Sequence, residues 1–160
     1  MNANAGTEYV EGLQTLLDKQ VRWPIIDAIL TQILQAENIY CCGNGGSYAN
    51  ASHLVLHLRE VGLRAYDLMA DNAVITAYSN DYAYEKVLAR QLRERATDKD
   101  VLIVLSGSVD SPNIIMALAE AKRIGMRTIG LLGFSGGIAK AFCDIVHVLD
   151  STDYGLVEDM

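Results

Sequence analysis

From residue 38 onward the chain alternates two patterns. Short, almost continuously apolar runs (NIYCCG, DVLIVLSG, RTIGLLG and DIVHVLD) are each closed by turn-forming residues, and RAYDLMA is a weaker fifth. Runs of this length without in–out alternation are characteristic of strands covered on both faces. Between them, residues 48–60, 82–96, 112–124 and 137–142 read as helical. The segment AEAKRIGM places Gly125 where a helix ends on a left-handed residue. Upstream the spacing is helical only. Tyr9, Leu13, Leu16 and Leu17 predict a helix near 8–21. Pro24 suits the first turn of a second helix, with Ile25, Ile29, Ile33 and Leu34 on one apolar face.

Strands alternating with helices predict an α/β fold with a parallel sheet and right-handed crossovers. The N-terminal helical arm spans 1–36 and the α/β part spans 37–160, within one structural domain overall. Ligands in such sheets sit beyond the carboxyl ends of the strands. That rule selects three loops rich in Gly and Ser, at 43–47, 106–111 and 133–137.

Composition narrows the function classes. A chain of 160 residues, 51% apolar and 21% charged, has the make-up of one ordinary soluble domain. No apolar run approaches the length of a membrane span, and the start MNANAGTEYVEG has no basic and apolar leader pattern. Three cysteines, an odd and sparse count, fit a reducing cytoplasm better than a disulfide framework. A net charge of −7 gives little support to nucleic-acid binding.

The loop Gly43-Asn44-Gly45-Gly46-Ser47 lets backbone approach a ligand, and the helix after it offers free N–H groups to an anion. A dinucleotide fingerprint fails because Tyr48 stands where the third glycine belongs, and a P-loop fails because no Gly-Lys-Ser/Thr follows. The second loop carries Ser106, Ser108 and Ser111, with Ser111 before Pro112 as a helix N-cap. Those hydroxyls and the helix start make a phosphate cradle without lysine or arginine, in which Asp110 is an awkward neighbour, costly beside a phosphate unless it points away. Asn80 and Asp81 either cap a helix beginning near Tyr82 or meet sugar hydroxyls. His53 and His57 share one helix face, a spacing that suits metal or catalytic work but also occurs with neither. Cys41 and Cys42 face opposite sides of a strand and pack as small hydrophobes, as does Cys143. The tail STDYGLVEDM opens a helix at Leu156, too short to stand alone.

Taken together, CGNGGS followed by a helical His, then NDYAYE, S-x-S-x-x-S and TIGLLG in that order, resemble the SIS (sugar isomerase) domain family. Within it the chain is similar to the sedoheptulose-7-phosphate (phosphoheptose) isomerases, from about Asn38 to Asp159. The resemblance implies a three-layer, doubly wound, flavodoxin-like sheet of five parallel strands. It implies substrate contacts from Asn44, Gly45, Gly46 and Ser47, from Asn80 and Asp81, and from Ser106, Gly107, Ser108 and Ser111. It implies a zinc ligand at His53 and a homotetramer or dimer with sites at subunit interfaces. Several positions depart from the family: Gly107 stands for Thr, Val109 for Gly, His57 for a Glu that acts as base and metal ligand, and Glu158 for Gln. The family's second catalytic histidine falls about two helical turns past Glu158, so the C-terminal helix is expected to be cut short.

Aldose–ketose isomerisation needs a base over the carbon and a group to manage the oxygen protons. His57 and Glu158 are the candidates for catalysis, and His53, His57 and Glu158 are the candidate ligands of a zinc ion that would polarise a carbonyl. The expected activity is interconversion of sedoheptulose 7-phosphate and a heptose 7-phosphate in bacterial heptose and surface-polysaccharide synthesis. The alternative is a non-catalytic SIS module that binds a phosphosugar or a protein partner in a regulatory or assembly role.

Overall fold

The computed structural model describes residues 5–20, 23–108 and 110–159. Helices α1 (Ala5–Gln20) and α2 (Trp23–Gln35) lead into β1 (Ile39–Cys42), α3 (Gly45–Glu60), β2 (Ala65–Asp67), α4 (Asn72–Tyr82) and α5 (Val87–Arg95). There follow β3 (Val101–Ser106), α6 (Pro112–Ile124), β4 (Arg127–Leu132), β5 (Ile145–Val148) and α7 (Tyr154–Asp159). The five strands form one sheet in the order β2-β1-β3-β4-β5, parallel at every pairing. This is the expected three-layer α/β architecture. The strand order reverses between β1 and β3, and a crevice forms outside their carboxyl ends at such a switch point.

Continuous apolarity in the strands has the anticipated cause, since each face packs its own core. Tyr40, Cys42, Leu102, Val104 and Leu132 meet Leu88, Leu92, Ile114 and Leu118 on one side. Ile39, Cys41, Ile103 and Ile129 meet Ile33, Val55 and Leu58 on the other. Cys41 and Cys42 thus fall in opposite cores, as strand alternation requires. At the far end of the sheet the buried Asp100 accepts hydrogen bonds from the Asn38 backbone and amide and from Thr97, tying the start of β1 to that of β3.

Four readings change. The segment 82–96 is not one helix: α4 runs through Asn80 and Asp81 to Tyr82, and α5 begins only at Val87, after a single 3-10 turn at Tyr84–Lys86. Asp71 is the residue that caps α4, accepting from the Ala73 and Val74 amides, so Asn80 and Asp81 cap nothing. Ala83 ends α4 with φ 98 and ψ 146, a positive-φ conformation that costs a residue other than glycine about 1–3 kcal/mol. The segment 137–142 holds only a 3-10 turn at Ala139–Phe142. Helix α7 opens at Tyr154 rather than Leu156 and is supported by α1 and α3 of the same chain. Gly125 has φ 94 and closes α6 as anticipated. Among the described residues no helix is long and apolar enough to cross a membrane.

Candidate functional site

The first loop turns from β1 into α3 in very little space. A Cβ at Gly43 would stand 2.6 Å from the Ser47 backbone, so only glycine fits. Asn44 takes the N-cap position of α3 in extended conformation, but its side chain does not cap the helix. It pairs instead with Asn113 of α6: Asn44 Nδ2 donates to Asn113 Oδ1 at 2.9 Å, and Asn113 Nδ2 donates to Asn44 Oδ1 at 2.8 Å. The Tyr84 hydroxyl also donates to Asn44 Oδ1, at 2.8 Å. Ser47 is buried, and its Oγ accepts the Gly107 N–H at 3.3 Å, joining the first loop to the second.

In the second loop Ser106 and Gly107 are buried, while the Ser108 and Ser111 hydroxyls lie 3.1 Å apart. Ser111 holds the N-cap position of α6 with Pro112 after it, yet its hydroxyl is turned to Ser108 rather than to the helix. Asp110 does point away: Oδ1 accepts the Ile138 N–H at 3.0 Å and so fastens the third loop. Val109 lies outside the described residues. Asn80 and Asp81 are exposed and bonded to each other, Nδ2 to Oδ1 at 2.9 Å.

Below the loops lies a cavity of about 570 Å³, within the range of small-molecule sites. Ser47, Asn50, His53, His57, Ser106 and Glu158 are among its polar lining, and Gly107 joins them. His53 and His57, one turn apart on α3, bring their Nε2 atoms to 2.9 Å. His57 Nδ1 lies 3.0 Å from Glu60 Oε2. An ionised Glu60 takes an Nδ1–H, which leaves the lone pair on His57 Nε2 and makes His53 the donor between the rings.

Glu158 does not join the histidines. Its carboxylate lies on Gly46, in the first turn of α3, where a Cβ would have no room. A carboxylate is favoured at a helix N-terminus. Asn50 Nδ2 donates to the Glu158 carbonyl, and the Tyr9 hydroxyl donates to Asp159 Oδ2. A Cβ at Gly107 would stand 3.0 Å from the Tyr154 ring, and one at Gly133 would stand 2.7 Å from Val157. Helix α7 therefore rests on a glycine from each of the three loops. Among the described residues no group of three or more His, Cys, Asp or Glu side chains could hold a metal. The expected set of His53, His57 and Glu158 is not assembled: the described residues offer two converging nitrogens and no third ligand beside them.

Sequence reasoning missed Asn113 and Tyr84. Asn113 is 2% exposed, a buried amide one residue after Pro112 in a helix start. Nothing local marks it, because its partner lies 69 positions earlier. The cysteines are as inert as anticipated. Burial pushes the Cys41 thiol up to about 12 and the Cys143 thiol up to about 11, and Cys42, fully buried, is raised further.

Known proteins share this fold. The chain matches the SIS domain family model over residues 8–133. It is 35% identical over 158 residues to the phosphoheptose isomerase of Helicobacter pylori (strain P12), covering 94% of this chain and 79% of the relative. Among solved structures, a phosphoheptose isomerase from Francisella tularensis superposes with a TM-score of 0.94 at 27% identity, covering 99% of this chain and 91% of the other. The phosphoheptose isomerase GmhA of Neisseria gonorrhoeae gives 0.89 at 29% identity, covering 98% and 89%. The fold, the order of the three loops and these matches agree: the chain belongs to the SIS domain family.

Proposed function

We propose that this protein is an aldose–ketose isomerase that interconverts sedoheptulose 7-phosphate and a heptose 7-phosphate in bacterial heptose and surface-polysaccharide synthesis. One observation carries the reading: a single cavity joins the serine loop to the His53–His57 pair. By helix rise, His53 lies about 9 Å and His57 about 15 Å beyond Ser47 along α3. Helical side chains lean back toward the N-terminus, which shortens the gap. An extended seven-carbon sugar phosphate spans such a distance with its phosphate at one end and its carbonyl at the other.

Each group then has a task. Ser106, Ser108, Ser111 and the amides at the start of α6 hold the phosphate by hydrogen bonds and helix dipole, without a basic residue. Asn44, Ser47 and the Gly45–Gly46 backbone meet sugar oxygens, with Asn80 and Asp81 at the outer end. The reacting end of the sugar takes the place of the 2.9 Å contact between the two imidazoles, which part to receive it and free His57 Nε2 and His53 Nε2–H. His57 Nε2 takes a proton from the carbon next to the carbonyl, and the C–H electron pair becomes the enediolate double bond. His53 Nε2–H faces the oxygen on which charge develops. The proton on His57 returns to the former carbonyl carbon, while His53 gives its Nε2 proton to the former carbonyl oxygen and regains one from the neighbouring hydroxyl, so one carbon-bound and one oxygen-bound proton each shift by one position and nothing is oxidised. Glu60 orients His57 through Nδ1.

Zinc would find two ligands in His53 and His57, and when bound it would polarise the carbonyl; the described residues of the chain bring no third ligand to them. A homo-oligomer, tetramer or dimer, is supported by Leu17, Leu30, Leu34 and Leu56, apolar side chains on α1, α2 and α3 that are 49–70% exposed. Buried, unpaired thiols are compatible with a cytoplasmic protein. The non-catalytic binding module is not favoured, because the relatives that match most of the chain are isomerases by name. The test is incubation of the purified protein with sedoheptulose 7-phosphate. Appearance of an aldoheptose phosphate supports the reading; saturable thermal stabilisation by the sugar phosphate without product supports the binding module instead.

A further inference from the structure

The side-chain amide of Asn44 has two donor protons and two acceptor lone pairs. In this structure both lone pairs are taken, one by Asn113 Nδ2 and one by the Tyr84 hydroxyl, each at 2.8 Å. One proton is taken by Asn113 Oδ1 at 2.9 Å. A single N–H is all the hydrogen-bonding capacity that remains. We propose that Asn113, with Tyr84, is a positioning residue that locks the Asn44 amide so that it presents one N–H donor, and no acceptor, to the sugar oxygen at the crevice.

The two partners do different work. A reciprocal amide pair is satisfied equally well if both amides rotate by half a turn, so Asn113 alone fixes the plane but not the sense. The hydroxyl of Tyr84 fixes the sense when it donates to Asn44 Oδ1. Tyr84 arrives from the turn that the positive-φ Ala83 creates between α4 and α5. Asn113 is held by burial, where an unpaired amide would be costly, so the pair resists opening. The ligand partner chosen by this geometry is an acceptor, a sugar oxygen on the chain between the phosphate and the carbonyl. A preset donor there holds the sugar in register, so that its reacting end reaches the histidines.

This inference rests on the isomerase reading, and a mutant cycle with two readouts separates them. Asn44→Ala and Asn44→Asp should each lower kcat about 100-fold through a displaced sugar chain, the aspartate included because it replaces the donor with an acceptor. Asn113→Ala should lower kcat about tenfold, with KM for sedoheptulose 7-phosphate within about twofold, and should cost almost nothing further in the Asn44→Ala background. Tyr84→Phe, at a half-exposed side chain that the fold does not need, should lower kcat about threefold, and that loss too should vanish with Asn44→Ala. Losses that persist undiminished in the Asn44→Ala background, or an active Asn44→Asp, overturn the proposal. A wild-type protein without turnover removes the isomerase reading but leaves the lock readable. In nitrogen-labelled protein one Asn44 side-chain proton should exchange slowly and the other fast, with Asn113→Ala abolishing the difference; equal fast exchange in the wild type overturns the lock.

Discussion

The Nε2 atoms of His53 and His57 stand 2.9 Å apart, and Glu60 holds the second nitrogen of His57 at 3.0 Å. Charge and tautomer are thereby ordered along one face of α3, from carboxylate to base to donor. Removing the base by His57→Ala should lower turnover about 100-fold or more. Glu60→Gln should cost only a few-fold, because that contact is solvent-exposed and screened. Loss of turnover in chelator, restored by zinc, would show that a metal joins His53 and His57 at this site.

Helix α7 is six residues long and gains its support from neighbours rather than from its own hydrogen bonds. Its closest seat is Gly46 under the Glu158 carboxylate. Gly46→Ala must displace that carboxylate, and the flexible side chain can yield. The global melting temperature should therefore stay within about 2 °C, while amide exchange in 154–159 accelerates at least tenfold. Unchanged exchange there would mean that the carboxylate is not what seats the helix.

How much was legible follows from where each signal is stored. Strands β1, β3 and β4 are buried on both faces, so their apolar runs stand out locally; β2 is a three-residue edge with an exposed Tyr66 and left only a weak trace. Helix α4 was missed because it buries no residue and so carries no apolar stripe, while Asn80 and Asp81 in its last turn mimic a cap. The three loops were legible because glycine and serine mark close approach and capping. The Asn44–Asn113 pair and the seat of α7 were not, because each depends on residues far apart in sequence that only the sheet brings together.

Acid should find one ion-paired carboxylate first. Glu120 is buried on α6 and accepts two hydrogen bonds from Arg93 and two from Arg123, at 2.7–3.0 Å. Those bonds hold its carboxyl down from 4.5 to about 2. A depressed folded-state value stabilises fully above the unfolded value and loses that contribution as pH falls through the folded one. Both arginines are mostly exposed, so screening reduces the effect to about 2 kcal/mol. Wild-type stability should therefore decline from pH 4.5 toward pH 2. Glu120→Gln should be less stable by about that amount at neutral pH and nearly equal to wild type at the acid end. Denaturant midpoints across that range measure it, and parallel pH curves for the two proteins would refute the assignment.

The glycines of the first loop should respond differently to one added methyl group. At Gly45 nothing lies within 4 Å of a Cβ, but φ is +57, so Gly45→Ala meets only the left-handed penalty of about 1 kcal/mol. At Gly43 the backbone carbonyl of Ser47 stands 2.6 Å from a Cβ. Backbone in the first turn of α3 cannot yield as a side chain does, so the turn itself must shift. Gly43→Ala should cost about 2–3 kcal/mol, and because Ser47 bonds the Gly107 amide, the shift should reach the second loop. Weaker binding of inorganic phosphate together with the lower denaturant midpoint would show both effects. Phosphate affinity that survives Gly43→Ala unchanged would mean that the two loops are set independently, and that the Ser47–Gly107 contact does not carry their spacing.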